Sequence, residues 1–206
     1  QALRVAIVMG IFGGSKTPKN DWSAMSTVIN AEAKLQALGE ITPSRRAGVI
    51  YRNDESNPFQ HNIKIELNEV LYSGVGATKT AFEIEDDDRG MRWIVLEDGK
   101  FDDLVSTVYT VGNAIGMNDG ADNLLAAVFE LYFTGTVEDN TYRSGLRTYW
   151  IYRYDRKAFY PFVPTGESEG DRDRPTEARL GQDLRKHGLA VEKSLTEWMG
   201  LWGIPF

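Results

Sequence analysis

Two histidines, no cysteine and thirty carboxylates set the chemistry open to this chain. Without thiols there can be no disulfide and no thiolate metal site, and the common cysteine nucleophiles are absent. His61 and His187 fall on different predicted helices, so no two-histidine metal site is expected. His187 instead follows Arg185 and Lys186 before Gly188, where a cation complements a helix C-terminus. Gly74-Val75-Gly76-Ala77-Thr78-Lys79-Thr80 superficially resembles a phosphate loop. A true one needs glycine directly before the lysine, so that backbone amides close around phosphate, and it runs from strand to helix. Thr78 stands there instead, and the predicted order is helix to strand, so a plain turn is expected. No nucleophile elbow, zincin or EF-hand pattern occurs. Carboxylates brought together by the fold are what remain for catalysis, with Asp102-Asp103, Asp119-Asp122 and Glu83-Glu85 as candidates. Solvated caps and turns account for the same residues.

The elements that position these groups begin after a linker, Gly13–Asn20. Asp21 starts a predicted helix running to Leu38, with Trp22, Met25, Val28, Ile29, Leu35 and Leu38 on a broad apolar face. A short strand covers Gly48–Arg52. Asn57 and Pro58 open a second helix, striped by Ile63, Leu67, Val70 and Leu71. Thr80–Glu85 alternates with period two, and Met91–Leu96 is more continuously apolar, so a hairpin is expected with Asp86–Gly90 at its tip. Phe101–Gly116 carries the clearest helical period, through Leu104, Val105, Val108, Val111 and Ile115. Gly112 and Gly116 within it suit close packing in a core. Leu124–Phe133, Leu146–Tyr154 and a short strand near Phe159 follow, and Pro175 opens a last helix.

Short turns between neighbouring strands imply antiparallel pairing. The expected fold is α+β: a mainly antiparallel sheet of about five to six strands, flanked by three to four helices covering one face. Residues 1–20 are assigned to an N-terminal extension and linker. Residues 21–206 form a single domain with an aromatic C-terminal tail. Residues 1–8 can precede a native start at Met9-Gly10.

Net charge is −7, from 30 acidic and 23 basic residues, with no basic stripe. Phosphate neutralisation dominates nucleic-acid affinity, so nucleic acid is not an expected partner. The longest apolar run, Val5–Phe12, is far below the roughly 20 residues that span a bilayer. A cysteine-free chain of this kind fits the cytoplasm.

The C-terminal third carries a resemblance. Tyr154–Gly166 (YDRKAFYPFVPTG) and Leu195–Phe206 (LTEWMGLWGIPF) are similar to the PspAB family of PspA-associated proteins. Trp93–Ile115 and Met9–Phe12 resemble that family's central strand-then-helix and its start. The resemblance weakens through 40–90 and 134–146, and the acidic insert Gly166–Arg174 does not align. The family is named for gene association with PspA, a membrane-stress protein that assembles on bilayers. The resemblance implies an accessory role in envelope stress, with a PspA-like protein or another product of its operon as partner. It carries over no catalytic residue, cofactor or metal. The order of elements is also similar to secretion-chaperone and YbjN-like folds, which bind proteins.

The functional expectation is a non-enzymatic adaptor. Aromatic and arginine side chains are the usual interface anchors, which singles out Tyr154, Arg156, Phe159, Tyr160, Trp198, Leu201, Trp202 and Phe206. These aromatics equally suit a core between sheet and last helix. A second expectation is a peripheral membrane sensor inserting Ile11 and Phe12, with Lys16 and Lys19 at the headgroups. A carboxylate-based enzyme is the third. Homodimerisation through the sheet or tail is compatible with each.

Overall fold

The structure, a computed structural model, describes residues 21–135 and 144–206. The expectations for the N-terminal extension, the linker and the membrane contacts Ile11 and Phe12 lie outside those residues.

Two helical pieces, α1 (Trp22–Met25) and α2 (Thr27–Ala37), meet at Ser26, where φ and ψ remain helical. Met25, Val28 and Leu35 are buried as the periodicity requires, but Leu38 caps the C-terminus and faces water. Gly39, at φ 71°, then reverses the chain as only glycine does without strain. Strand β1 (Ile41–Arg52) is more than twice the expected length. Pro43 and the polar run behind it argue against a central strand. The sheet absorbs them with a register shift between Pro43 and Ala47 on the β4 side.

Helix α3 (Pro58–His61) is capped by the Asn57 side chain, which accepts from Phe59 and Gln60 N–H. Helix α4 (Ile63–Tyr72) follows and buries Ile63, Leu67 and Leu71. Val70, expected on that stripe, points to solvent. Strands β2 (Ala81–Asp86) and β3 (Met91–Glu97) form the predicted hairpin. Helix α5 (Phe101–Ile115) buries the predicted stripe and passes through a turn to β4 (Leu124–Phe133). Strands β5 (Arg147–Arg153) and β6 (Ala158–Phe162) complete the sheet, and α6 (Arg174–Lys186) follows.

The six strands are all antiparallel, in the order β2-β3-β1-β4-β5-β6. Directly paired residues share a face. One face therefore carries Ile84, Ile94, Val49, Ala127, Tyr152 and Phe159 across all six strands. Helix α5 packs on it, with Phe101 edge-on to Phe129 at 5.8 Å. Gly112 makes room here: a Cβ at that position would lie 2.2 Å from the Tyr154 hydroxyl. Gly112 thus serves packing within the chain.

Helices on one face are only part of the cover. Helix α6 sits beyond β6, and residues 190–192 run parallel to that strand, with Phe159 N–H bonded to Ala190 O at 2.7 Å and Glu192 N–H to Phe159 O at 2.8 Å. The opposite face receives the tail. No helix among the described residues is long and apolar enough to cross a membrane.

Candidate partner-binding site

Alternation along β5 and β6 sends Tyr149, Ile151 and Arg153, with Tyr160 and Phe162, to the face away from the helices. After a single 3-10 turn at Leu195–Glu197 the tail runs extended over these groups. Its aromatics recur every four residues, and each lands on a ring of the sheet. Trp198 stacks on Tyr160 at 6.4 Å, Trp202 meets Phe162 edge-on at 5.4 Å, and Phe206 meets Trp93 edge-on at 5.9 Å. Such pairs contribute about 0.5–1.5 kcal/mol each beyond area burial. Tyr149 also donates its hydroxyl to the Phe206 oxygen at 2.7 Å.

Arginines fasten the same segment. The Glu197 carboxylate accepts from Arg156 at 2.6 Å and Arg153 at 3.1 Å. The hydrogen bond from Arg156 is the main reason its pKa lies below the usual value, with Arg153 adding to it. Arg153 is in turn held by Asp155 through two hydrogen bonds. The Trp198 carbonyl accepts from Arg172 at 3.2 Å and Arg174 at 3.4 Å. Arg172 also pairs with the completely buried Glu177 at 2.7 Å, and its guanidinium lies 4.9 Å from the Phe162 ring centre. Glu177 further accepts the Val163 N–H at 2.9 Å.

This arrangement places six of the eight expected partner-binding residues inside the protein: Tyr154, Phe159, Tyr160, Trp198, Leu201 and Phe206 are buried. Tyr154 and Phe159 belong to the helix-covered face, and the other four lie under or within the tail. Arg156 and Trp202 alone of the set reach solvent. The buried six act as core: Tyr154, Phe159 and Tyr160 belong to the covered faces of the sheet, and a tail that crosses a sheet must bury Trp198, Leu201 and Phe206 to stay there.

The candidate carboxylates remain separate. Asp102 and Asp103 occupy the exposed first turn of α5, and Asp119 and Asp122 lie in the turns before β4. Glu83 and Glu85 share a face of β2 and are exposed. Among the described residues no group of three or more His, Asp or Glu could hold a metal ion. His61 contacts Glu55 at the surface, and His187 caps α6. The Gly74–Thr80 segment is a turn leading into β2. Its Thr78 and Thr80 hydroxyls point inward to Thr107, and Thr80 also bonds Asp98 at 2.6 Å.

One acid is unusual. Glu32 on α2 is buried, its Oε1 has no hydrogen-bond partner, and its pKa is raised by desolvation first and by Asp102 second. Two ion pairs escaped the sequence reading. Glu130, buried at 3.0 Å from Arg147, was signalled by being a lone carboxylate in an otherwise apolar strand. Arg172 gave no such signal within the acidic insert.

No curated protein and no solved structure matches the chain. The model of one family, PspA associated protein B, matches residues 5–206. With that match spanning the central strand and helix as well as the docked aromatic tail, the chain belongs to the PspA associated protein B family.

Proposed function

We propose that this protein is a non-enzymatic, cytoplasmic accessory factor of a PspA-type envelope-stress system, and that it acts by binding a PspA-related protein. The match of nearly the whole chain to a family named for association with PspA carries the reading. The tail adds support. It presents Trp202 at the surface against the Phe162 ring, and its Glu197 fixes Arg156 of the β5–β6 turn. Fixed aromatic and arginine groups lose little entropy on association and are the usual anchors of an interface.

Co-expression tests this. The tagged chain and the untagged PspA protein of the same genome should co-elute as one species in size exclusion, and the Trp202→Ala, Arg156→Ala double variant should weaken that complex at least tenfold. Separate elution of wild type and PspA at micromolar concentrations would reject the reading.

A further inference from the structure

The two edges of the sheet are treated differently. The β6 edge is covered by residues 190–192, whereas β2 ends the sheet on the other side with nothing bonded to it among the described residues. Asp87 N–H donates to Met91 O at 2.9 Å, closing the hairpin. Hydrogen-bonded pairs alternate along an antiparallel ladder, so Glu85, Glu83 and Ala81 exchange bonds with β3. The N–H and C=O groups of Phe82, Ile84 and Asp86 therefore point outward. Exposed edges are normally blunted by charge, proline or a bulge. This one has neither proline nor bulge, its six-residue register with β3 is unbroken, and its charges, Glu83, Glu85 and Asp86, are all negative.

The edge has two unlike sides. On the helix side lie Phe82 and Ile84, with Tyr72 stacked on Phe82 at 6.0 Å and Ile65, seven residues before Tyr72, also exposed. On the tail side lie Glu83 and Glu85, and Glu97 one strand further in. Pro205 and Phe206 wall a groove of 240 Å³ between these acids and the tail, with Arg46 beside Glu97 at its inner end, so that Glu83 and Glu85 at the outer edge face no cation across it among the described residues. A second copy of the chain fits poorly. Antiparallel β2–β2 pairing centred on Ile84 would set Glu83 of one copy directly opposite Glu85 of the other, and like charges opposed across strands destabilise pairing.

Building on the binding role proposed above, we infer that the β2 edge accepts an extended segment of a partner protein that alternates apolar with Lys or Arg residues. The main chain of that segment bonds Phe82, Ile84 and Asp86. Its apolar side chains lie toward Phe82 and Tyr72, and its cations lie over Glu83 and Glu85. Strand addition supplies affinity through the main chain, and alternate side chains supply specificity.

The probe is a soluble peptide of alternating Lys and Val, eight residues long. Controls alternate Glu with Val and Lys with Ser. On the intact protein, the Lys–Val peptide should slow amide exchange of Phe82, Ile84 and Asp86, and neither control should do so. The Glu83→Lys, Glu85→Lys variant changes only exposed side chains, and its thermal transition verifies folding. It should bind the Lys–Val peptide at least tenfold more weakly and should gain binding of the Glu–Val peptide. Unchanged exchange at these three amides, or equal affinity of variant and wild type, would overturn the inference. So would a wild-type dimer in which the Phe82, Ile84 and Asp86 amides are already protected without peptide. Equal binding of PspA by wild type and variant would remove the edge from that complex while leaving the accessory role intact. Peptide docking at the edge without any PspA binding would sink the accessory role instead, leaving the edge assignment standing.

Discussion

Phe206 occupies the space that a side chain at position 48 would need: a Cβ on Gly48 would lie 2.7 Å from the Phe206 ring. The end of the tail thus reaches a central strand, and the glycine of β1 is paired with a ring 158 residues away in the sequence. Gly48→Ala should cost about 1–3 kcal/mol in urea unfolding, the usual range for overpacking. In a Phe206→Ala background the same change should cost less, because the nearer obstructing ring is gone and only Trp93, 3.0 Å from the new Cβ, still has to yield. Equal costs in both backgrounds would show that the two residues do not compete for one space.

The buried pair Arg172–Glu177 predicts a large single-residue effect. Glu177 has no exposure and serves both Arg172 and the Val163 N–H. Glu177→Gln leaves the guanidinium without its counter-charge, and breaking buried pairs this way costs about 3–5 kcal/mol. Equilibrium denaturation should show that loss together with quenching changes at Trp198, whose carbonyl Arg172 holds.

Acid should loosen the tail. Glu197 is held below its ordinary value of 4.5 by Arg156 first. The unfolded chain therefore binds its proton at higher pH than the folded one. The stabilisation is complete above about pH 4.5 and is lost as pH falls through the lower, folded pKa. A Glu197→Gln variant should be less stable than wild type at pH 7, with the difference shrinking as pH falls below 4.5.

Glu32 should behave with the opposite sign. Its folded pKa is raised by burial, so charging it opposes folding above that pKa. Glu32→Gln should stabilise the protein at pH 7. That gain should fade as pH falls toward 4.5 and the native carboxyl becomes neutral. Parallel melting curves at several pH values will show whether the two glutamates diverge.

The fold was legible in the sequence where period and burial agree. Helix α5 buries one clean stripe, and the β2–β3 hairpin alternates between unlike faces, so both were read within a residue or two. Strand β1 was read at less than half its length because Pro43, Ser44, Arg45 and Arg46 carry no strand signal. Pairing of Pro43 with Leu131 on one side and of Arg46 with Glu97 on the other, with a register shift between them, overrides this. Leu38 fits the helical period yet faces water because it lies past the last turn of its helix, and Val70 fits it too but is exposed while Leu71 beside it is buried.

The aromatic set was legible by composition, but its role was not. Ring density marks interfaces and cores alike, and sequence cannot tell whether a Trp-rich tail folds back. What decides it is the match of Trp198, Trp202 and Phe206 with Tyr160, Phe162 and Trp93, contacts that depend on strand order. A consequence is that truncation after Glu197 strips cover from those sheet rings. Such a variant should bind a hydrophobic dye and melt earlier than wild type, so side-chain variants at Trp202 and Arg156 are the cleaner probes of binding.

Calorimetric titration of the purified PspA protein of the same genome with this chain addresses the proposed accessory role most directly. The account predicts saturable binding with a fixed stoichiometry, weakened at least tenfold by Trp202→Ala with Arg156→Ala in a variant that melts earlier than wild type, having lost the Glu197 and Phe162 contacts, but is still fully folded at the titration temperature. Absence of heat and of complex at tens of micromolar with both proteins folded would contradict it.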